Sequence, residues 1–280
     1  MGRILKFCGV TRFGVVTENS LGSFRATRGL ELQAAKELMF DSDKLEIRTR
    51  SFEDFCAPTY KLLSNMSAES YGSILISYDL PAPFKSRILA AVEDIPGLEV
   101  IELGDEDSVA DISRRYVADV TNGTRVFSYR YDDDDALPVG YFETVGRLSL
   151  GEPEGTVISL NSGYSLSRLA ENSYTMPIRR YPMNAFGLGV ITSGREYRTI
   201  FDLGAHTRIR GRVVHGTEGI GWLATMHQLN DSRVGPPKRE TLTTNEVLNL
   251  LAKDFPQICP NALRSLSFRR SASVDFPGSD

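Results

Sequence analysis

TRVFSYRYDDDDALPVGYFE, residues 124–143, alternates β-branched and aromatic side chains from Arg125 to Tyr131, then runs into four consecutive aspartates, Asp132 to Asp135. The alternation predicts a strand over 125–131, and the pattern from Pro138 to Leu148 predicts a helix. The same strand-then-helix order recurs upstream. Ile4 to Val16 reads as a first strand, followed by a polar, glycine-bearing loop over 17–30. Leu45 to Leu63 has helical spacing, with Pro58 as a break or kink. YGSILISYDL (71–80) reads as a buried strand and Phe84 to Val92 as a helix; LEVIEL (98–103) reads as a strand and Ile112 to Val120 as a helix. Such alternation through residue 150 argues for an α/β fold with a mostly parallel central sheet flanked by helices. Ligands of such sheets bind beyond the carboxyl ends of the strands, where Asp79 and the aspartate run both fall.

Composition agrees with a folded, water-exposed chain. The 280 residues are 41% hydrophobic and 24% charged, and that length buries a sizeable core. The net charge of −4 disfavours nucleic acid as a partner. No stretch approaches the roughly 18 apolar residues of a membrane span, and MGRILKFCGVTRFGVV lacks the organisation of a secretory leader. A cytoplasmic protein is expected. Cys8, Cys56 and Cys259 are far apart and form no zinc-type spacing.

The texture changes after residue 150. GTVISLNSGYSL reads as a hairpin or strand pair, and AFGLGVITS (185–193) and REYRTIFDL (195–203) as two more strands. TEGIGWLATMHQLN (217–230) reads as a helix with Trp222, Leu223 and Met226 inward. Residues 232–240 read as a linker, Thr243 to Phe255 as a capped amphipathic helix, and the stretch from Arg269 as a disordered tail. The expected division is a parallel-sheet half (1–150), a smaller mixed half (151–260), and a flexible tail (269–280).

Four adjacent carboxylates repel one another. Either they form a solvated turn, or a cation neutralises them; their place at a strand end favours the cation. Mg²⁺ and Mn²⁺ prefer oxygen ligands and take one or two protein carboxylates plus substrate phosphates. Such an ion stabilises charge on a departing phosphate, which is the logic of the Asp-x-Asp motif in nucleotide-sugar glycosyltransferases. The acidic stretch 102–111 lacks that framework and reads as a solvated loop or helix start.

Several stretches together carry a resemblance: TRFGVV, MFDSDKLEIRTRSFEDFCAPTYKLLSN, ILISYDLPAPFKSRI, TRVFSYRYDDDDALPVGYFE, VISLNSGY, FDLGAHTRI and WLATMHQLNDS. In order and spacing they resemble a rhamnosyltransferase family of the GT-A type of glycosyltransferase. The family's Leu-Pro-Ser-Leu is replaced here by Ala57-Pro58-Thr59-Tyr60, and its Gln-Thr-Asp element by Asn65 to Ala68. The resemblance implies a GT-A-like fold, Rossmann-like in its sheet, and a nucleotide-diphosphate sugar donor. It also implies an acceptor hydroxyl on a glycan or lipid, the lipid case bringing peripheral contact with a membrane. Within it, Asp132 resembles the first Asp of the motif, meeting ribose or sugar. Asp134 resembles the metal ligand for Mn²⁺ or Mg²⁺, with Asp135 beside it, and Asp133 turns to the other face. A register shift of one residue would exchange the pairs. His227, in the WLxxxH context, resembles the histidine such enzymes return to the metal or diphosphate; His206 and His215 are weaker candidates.

For the donor, Thr11, Arg12 and Phe13 follow the first strand, where a nucleobase would lie. Arg48 and Arg50 offer charge to a pyrophosphate, and Asp79 is either a base or ribose acceptor or a plain turn residue. For an inverting reaction the catalytic base is expected at Glu218 or, failing that, Asp202. Seven arginines in residues 176–213 suit an anionic acceptor, or else balance the acidic stretch. Two other readings stay open: a nucleotidyltransferase of related sheet architecture, and a non-catalytic carbohydrate- or partner-binding domain.

Overall fold

A computed structural model of the chain describes residues 5–22, 26–67, 69–194, 197–204, 206–227 and 241–268. The expected linker at 232–240 and tail at 269–280 lie outside the described residues.

The first half alternates as its sequence pattern requires. β1 (Lys6–Phe13) is followed by α1 (Leu32–Met39), a helix the sequence pattern did not suggest, and α2 (Ser42–Ser51). Asp41 caps α2, its side chain accepting from the Lys44 amide. A π-helical turn, Phe52–Cys56, then leads into α3 (Ala57–Met66). Pro58 therefore does not break the helix. It sits in the first turn of α3, where its missing N–H is tolerated, and the wider π turn before it makes room for the ring. β2 (Ser70–Ser77), α4 (Ala82–Val92), β3 (Leu98–Leu103), α5 (Val109–Thr121), β4 (Val126–Tyr131) and α6 (Tyr141–Leu148) complete the half.

The second half contributes β5 (Val157–Leu160), β6 (Ser162–Ala170), β7 (Ser173–Thr175), β8 (Ile178–Arg180), β9 (Gly189–Thr192), β10 (Val213–Gly216), β11 (Leu223–Met226), α7 (Thr244–Leu251) and α8 (Pro260–Ser265). Among the described residues a seven-stranded sheet runs β10-β5-β9-β4-β1-β2-β3. β1 pairs in parallel with both β2 and β4, β2 with β3, and β10 with β5; β9 alone runs antiparallel to its neighbours. The fold is a large, mostly parallel sheet flanked by helices. A smaller mixed sheet, β11-β6-β7 with β8 also on β6, packs its own core with α7 and α8.

Three readings of the second half are corrected. GTVISLNSGYSL is not a hairpin: β5 joins the large sheet and β6 the small one, with Asn161 between them. In REYRTIFDL no described residue is a strand; Ile200–Leu203 is one 3-10 turn held by a capping box between Thr199 and Asp202. The WLATMH segment is a strand, not a helix. Trp222, Leu223 and Met226 are buried as expected, but all four residues of β11 are buried, so no alternation marks it as a strand in sequence. What holds it extended is tertiary: Leu223 exchanges both backbone hydrogen bonds with Ala136 at 2.9 Å, and β11 pairs in parallel with β6. Trp222 donates to the Leu160 carbonyl at 3.0 Å and lies flat on Gly163, where a Cβ would come within 2.1 Å of the indole.

Candidate active site

The strand-end aspartates are held in place by four elements. β4 delivers them, β1 and α2 bring arginines from either face of the sheet, and β11 zips along the chain just after them.

Each carboxylate has a separate environment. Asp132 accepts from Arg130 Nε at 2.9 Å and Nη2 at 3.2 Å; residues two apart on a strand share a face, so this pair follows from the pleat. Asp133 is buried, and its Oδ2 accepts from Arg48 Nε at 3.1 Å and Nη2 at 2.7 Å. Burial pushes the Asp133 carboxyl up to about 6, against the pull of Arg48. Asp134 lies 2.9 Å from His227 Nε2 through its Oδ2, and its backbone carbonyl accepts from Thr225 Oγ1 at 2.7 Å. Burial works to raise the Asp134 pKa, but the His227 hydrogen bond and the charges of His227 and Arg48 hold it below the usual carboxylate range. Asp135 is buried, its Oδ1 taking the Thr225 amide at 3.1 Å while Oδ2 has no partner. Burial, then repulsion from Asp134 and Asp132, pushes its carboxyl well above the ordinary value.

These environments change the answer to why four aspartates stand together. Two are neutralised by arginines of the chain itself, and a third meets a histidine. The fourth is crowded and has a spare oxygen. Asp135→Asn is therefore expected to stabilise the ligand-free protein at pH 7. A raised carboxyl pKa means that folding favours the protonated acid. That contribution is full below the unfolded value, near 3.9, and fades as pH rises through the folded value. Asparagine removes the penalty, by about 1 kcal/mol, and places an N–H₂ where the orphan oxygen stood. Urea melts at pH 4 and pH 7 check this: the gain should appear at pH 7 and vanish at pH 4.

The donor set suits a divalent ion held partly by substrate. Two ligand atoms each about 2.1 Å from one ion and at right angles stand about 3 Å apart. The Asp134–His227 separation of 2.9 Å is compatible with that spacing, and Asp135, the next residue, has one buried carboxylate oxygen without a hydrogen-bond partner. Among the described residues no three His, Cys, Asp or Glu side chains form a ready metal cage, so substrate oxygens would have to complete the shell.

Other expected residues are redistributed. Arg12 shares the sheet face of Arg130 and lies over the Phe201 ring at 5.3 Å; burial, then repulsion from Arg130, pushes its pKa down to about 9. Thr11 and Phe13 are fully buried, Thr11 Oγ1 lying 2.9 Å from the Tyr60 hydroxyl and Phe13 packing edge-on against Phe52, so neither is open to a nucleobase. Arg48 is committed to Asp133 and Arg50 pairs with Glu46, which removes Arg48 as a free pyrophosphate ligand. Asp79 forms an ion pair with Lys36 at 2.7 Å, and Lys36 also meets Asp105 at 2.5 Å. The acidic stretch is thus not purely solvated.

Neither expected base has a hydrogen-bond or ion-pair link to the aspartates among the described residues. Glu218 has 83% of its side chain exposed and pairs with Arg147 at 3.6 Å, on the loop leaving the edge strand β10. Asp202 accepts from the Thr199 amide at 2.7 Å and pairs with Arg114 at 3.3 Å, a capping role. His206 and His215 are engaged by the Met183 carbonyl at 2.6 Å and by Asn161 Oδ1 at 3.0 Å. Sequence reasoning missed Arg130 and Thr225. Both were signalled by strand alternation, two residues before Asp132 and His227, but the second needed β11 to be read as a strand.

Solved structures similar to the chain include S. aureus TarS 1-349, at 10% identity and TM-score 0.37, covering 79% of this chain and 60% of that one. HddC from Yersinia pseudotuberculosis matches at 10% identity and TM-score 0.30, covering 75% and 89%. Both likenesses are remote. No curated protein matches the chain. A family described as "Putative rhamnosyl transferase" matches residues 6–239, a span that contains every residue of the strand-end site. The chain belongs to that family, one of glycosyl transfer.

Proposed function

We propose that the chain transfers a sugar from a nucleotide-diphosphate donor to a hydroxyl on a glycan or lipid acceptor, in the cytoplasm, with Mn²⁺ or Mg²⁺ assisting. Rhamnose is the donor sugar favoured by the family description. The observation that carries the reading is the meeting of His227 and Asp134, 93 positions apart in sequence, at 2.9 Å beyond the end of β4. Asp134 and His227 would hold the ion, with Asp135 beside them. When bound, the ion supplies a Lewis acid that stabilises charge on the departing diphosphate. Thr225 fixes the Asp135 carboxylate through its amide and the Asp134 backbone carbonyl through its hydroxyl. Arg12 and Arg130, at the ends of β1 and β4 on one face of the sheet, carry more positive charge than the Asp132 carboxylate that Arg130 pairs with, and the surplus favours the same diphosphate. Arg48 holds Asp133 away from the ion.

Thermal stability in titrations of UDP, GDP and dTDP, with and without Mn²⁺, tests this. One diphosphate should stabilise the protein in a metal-dependent way, by about 2.7 kcal/mol at a hundred times its Kd. The same gain in EDTA would assign the neutralisation to Arg12 and Arg130 and remove the metal from the proposal. No gain from any nucleotide would sink the transferase reading.

A further inference from the structure

A cleft of about 440 Å³ opens between α2, β6 and α8, lined by Arg50, Arg168, Arg264, Ser267 and Phe268, with Glu46 as the carboxylate among them. Glu46 is already engaged twice, accepting from Arg50 Nε at 2.6 Å and from Arg87 Nη1 at 2.6 Å. Asp54, the other nearby carboxylate, accepts from Ser265 Oγ, and burial raises its pKa. The cleft therefore keeps a net positive lining.

Its donors also outnumber its acceptors. Arg50 uses only Nε, and Arg264 is exposed with no side-chain hydrogen bond among the described residues. Arg168 donates through Nη1 to the carbonyls of Arg264 and Leu266 and lies 4.3 Å over the Phe268 ring. That leaves its Nε buried without an acceptor, and Ser267 Oγ is orphaned in the same way. Buried donors without partners are costly, and a bound anion supplies what they lack.

The cleft adjoins the aspartate site. In the parallel β11–β6 pairing the last matched residues are Met226 and Ser167. Arg168 and His227 are the residues that follow this last matched pair. α2 forms the other link, carrying Arg48 to Asp133 while Ile47 and Arg50 face the cleft.

We propose that this cleft binds the anionic group of the acceptor, a phosphate or carboxylate, with the half-exposed Phe268 ring as an apolar platform beside it. Calling the ligand an acceptor rests on the transferase reading; anion binding by these arginines does not.

Calorimetric titration of the full chain with inorganic phosphate, glucuronate and neutral glucose tests it, alongside Arg50→Gln/Arg264→Gln and Asp134→Asn variants. Both replaced arginines are exposed, so the double variant should fold. Phosphate and glucuronate should bind the wild-type chain and glucose should not. The double variant should weaken anion binding about fivefold or more, and Asp134→Asn should leave it unchanged. Sedimentation with phosphatidylglycerol against phosphatidylcholine vesicles separates the sources. Arginine-dependent pelleting with the anionic vesicles assigns a lipid headgroup, and its absence assigns a soluble glycan. Equal anion affinity in the wild type and the double variant, or none in either, overturns the proposal. Failure of the transferase reading would instead show as absent nucleotide stabilisation.

Discussion

Asp134→Ala is expected to abolish the metal-dependent gain in stability from nucleoside diphosphate and to slow sugar transfer by about 10²–10³-fold, the usual loss when one electrostatic stabiliser of a transition state is removed. Two features make this the most sensitive position. Asp134 is the aspartate that meets His227, and its pKa is held below the usual range, so it is ionised wherever the enzyme would work. The ligand-free protein should lose, at pH 7, the stability that a carboxylate with a lowered folded pKa contributes once ionised, with one offset. Removing Asp134 takes away the largest charge repelling Asp135, whose carboxyl is already raised by burial and by that neighbour. Melting curves with and without Mn²⁺ and nucleotide separate the two effects. A variant that keeps its metal-dependent gain would show that the ion binds elsewhere, and the assignment of the site would fail.

Arg48→Met should cost about 3–5 kcal/mol, the price of leaving one partner of a buried ion pair alone. The side chains of Arg48 and Asp133 are 16% and 9% exposed, so solvent does little to screen them. The pH dependence identifies the cause. In the wild-type chain burial already lifts the Asp133 carboxyl to about 6; without Arg48 it rises further. A carboxyl whose folded value is raised contributes its stability at low pH and loses it as pH climbs through the folded value. The deficit of Arg48→Met should therefore be larger at pH 7.5 than at pH 5, as read by urea denaturation. Adding Asp133→Asn should recover most of it and flatten the pH dependence. A deficit equal at both pH values, and untouched by Asp133→Asn, would place the role of Arg48 in its stem and its contact with Phe13, whose ring lies 5.6 Å from the guanidinium.

These two variants bear on the same electrostatic question from opposite sides. In sequence the quartet reads as one block of like charge awaiting one cation. In the structure it is four different carboxylates. Asp132 and Asp133 belong to arginines, Asp134 belongs to a histidine, and Asp135 carries the residual repulsion. A divalent ion therefore has less charge to cancel than the sequence implies, and fewer free ligands to use.

The sequence by itself determined the first half of the fold. β1, β2 and β4, with α3 through α6, stand out because each buries most of a strand or one face of a helix, and β3 by its alternation of apolar and acidic residues. That produces apolar runs and 3.6-residue periods that need no distant partner to be recognised. The strand-end position of the aspartates followed directly. Only the tertiary structure decided the rest. β11 is short and buried on every side, so its composition suits a helix as well as a strand; its state is set by backbone bonds to Ala136 and by pairing with β6, both remote in sequence. The same long-range pairing aligned His227 with Asp134, while Glu218 and Asp202 are engaged by Arg147 and by Thr199 and Arg114. Local pattern records what a segment buries, but which distant backbone completes its hydrogen bonds is settled by chain topology, and in this protein that choice assembles the site.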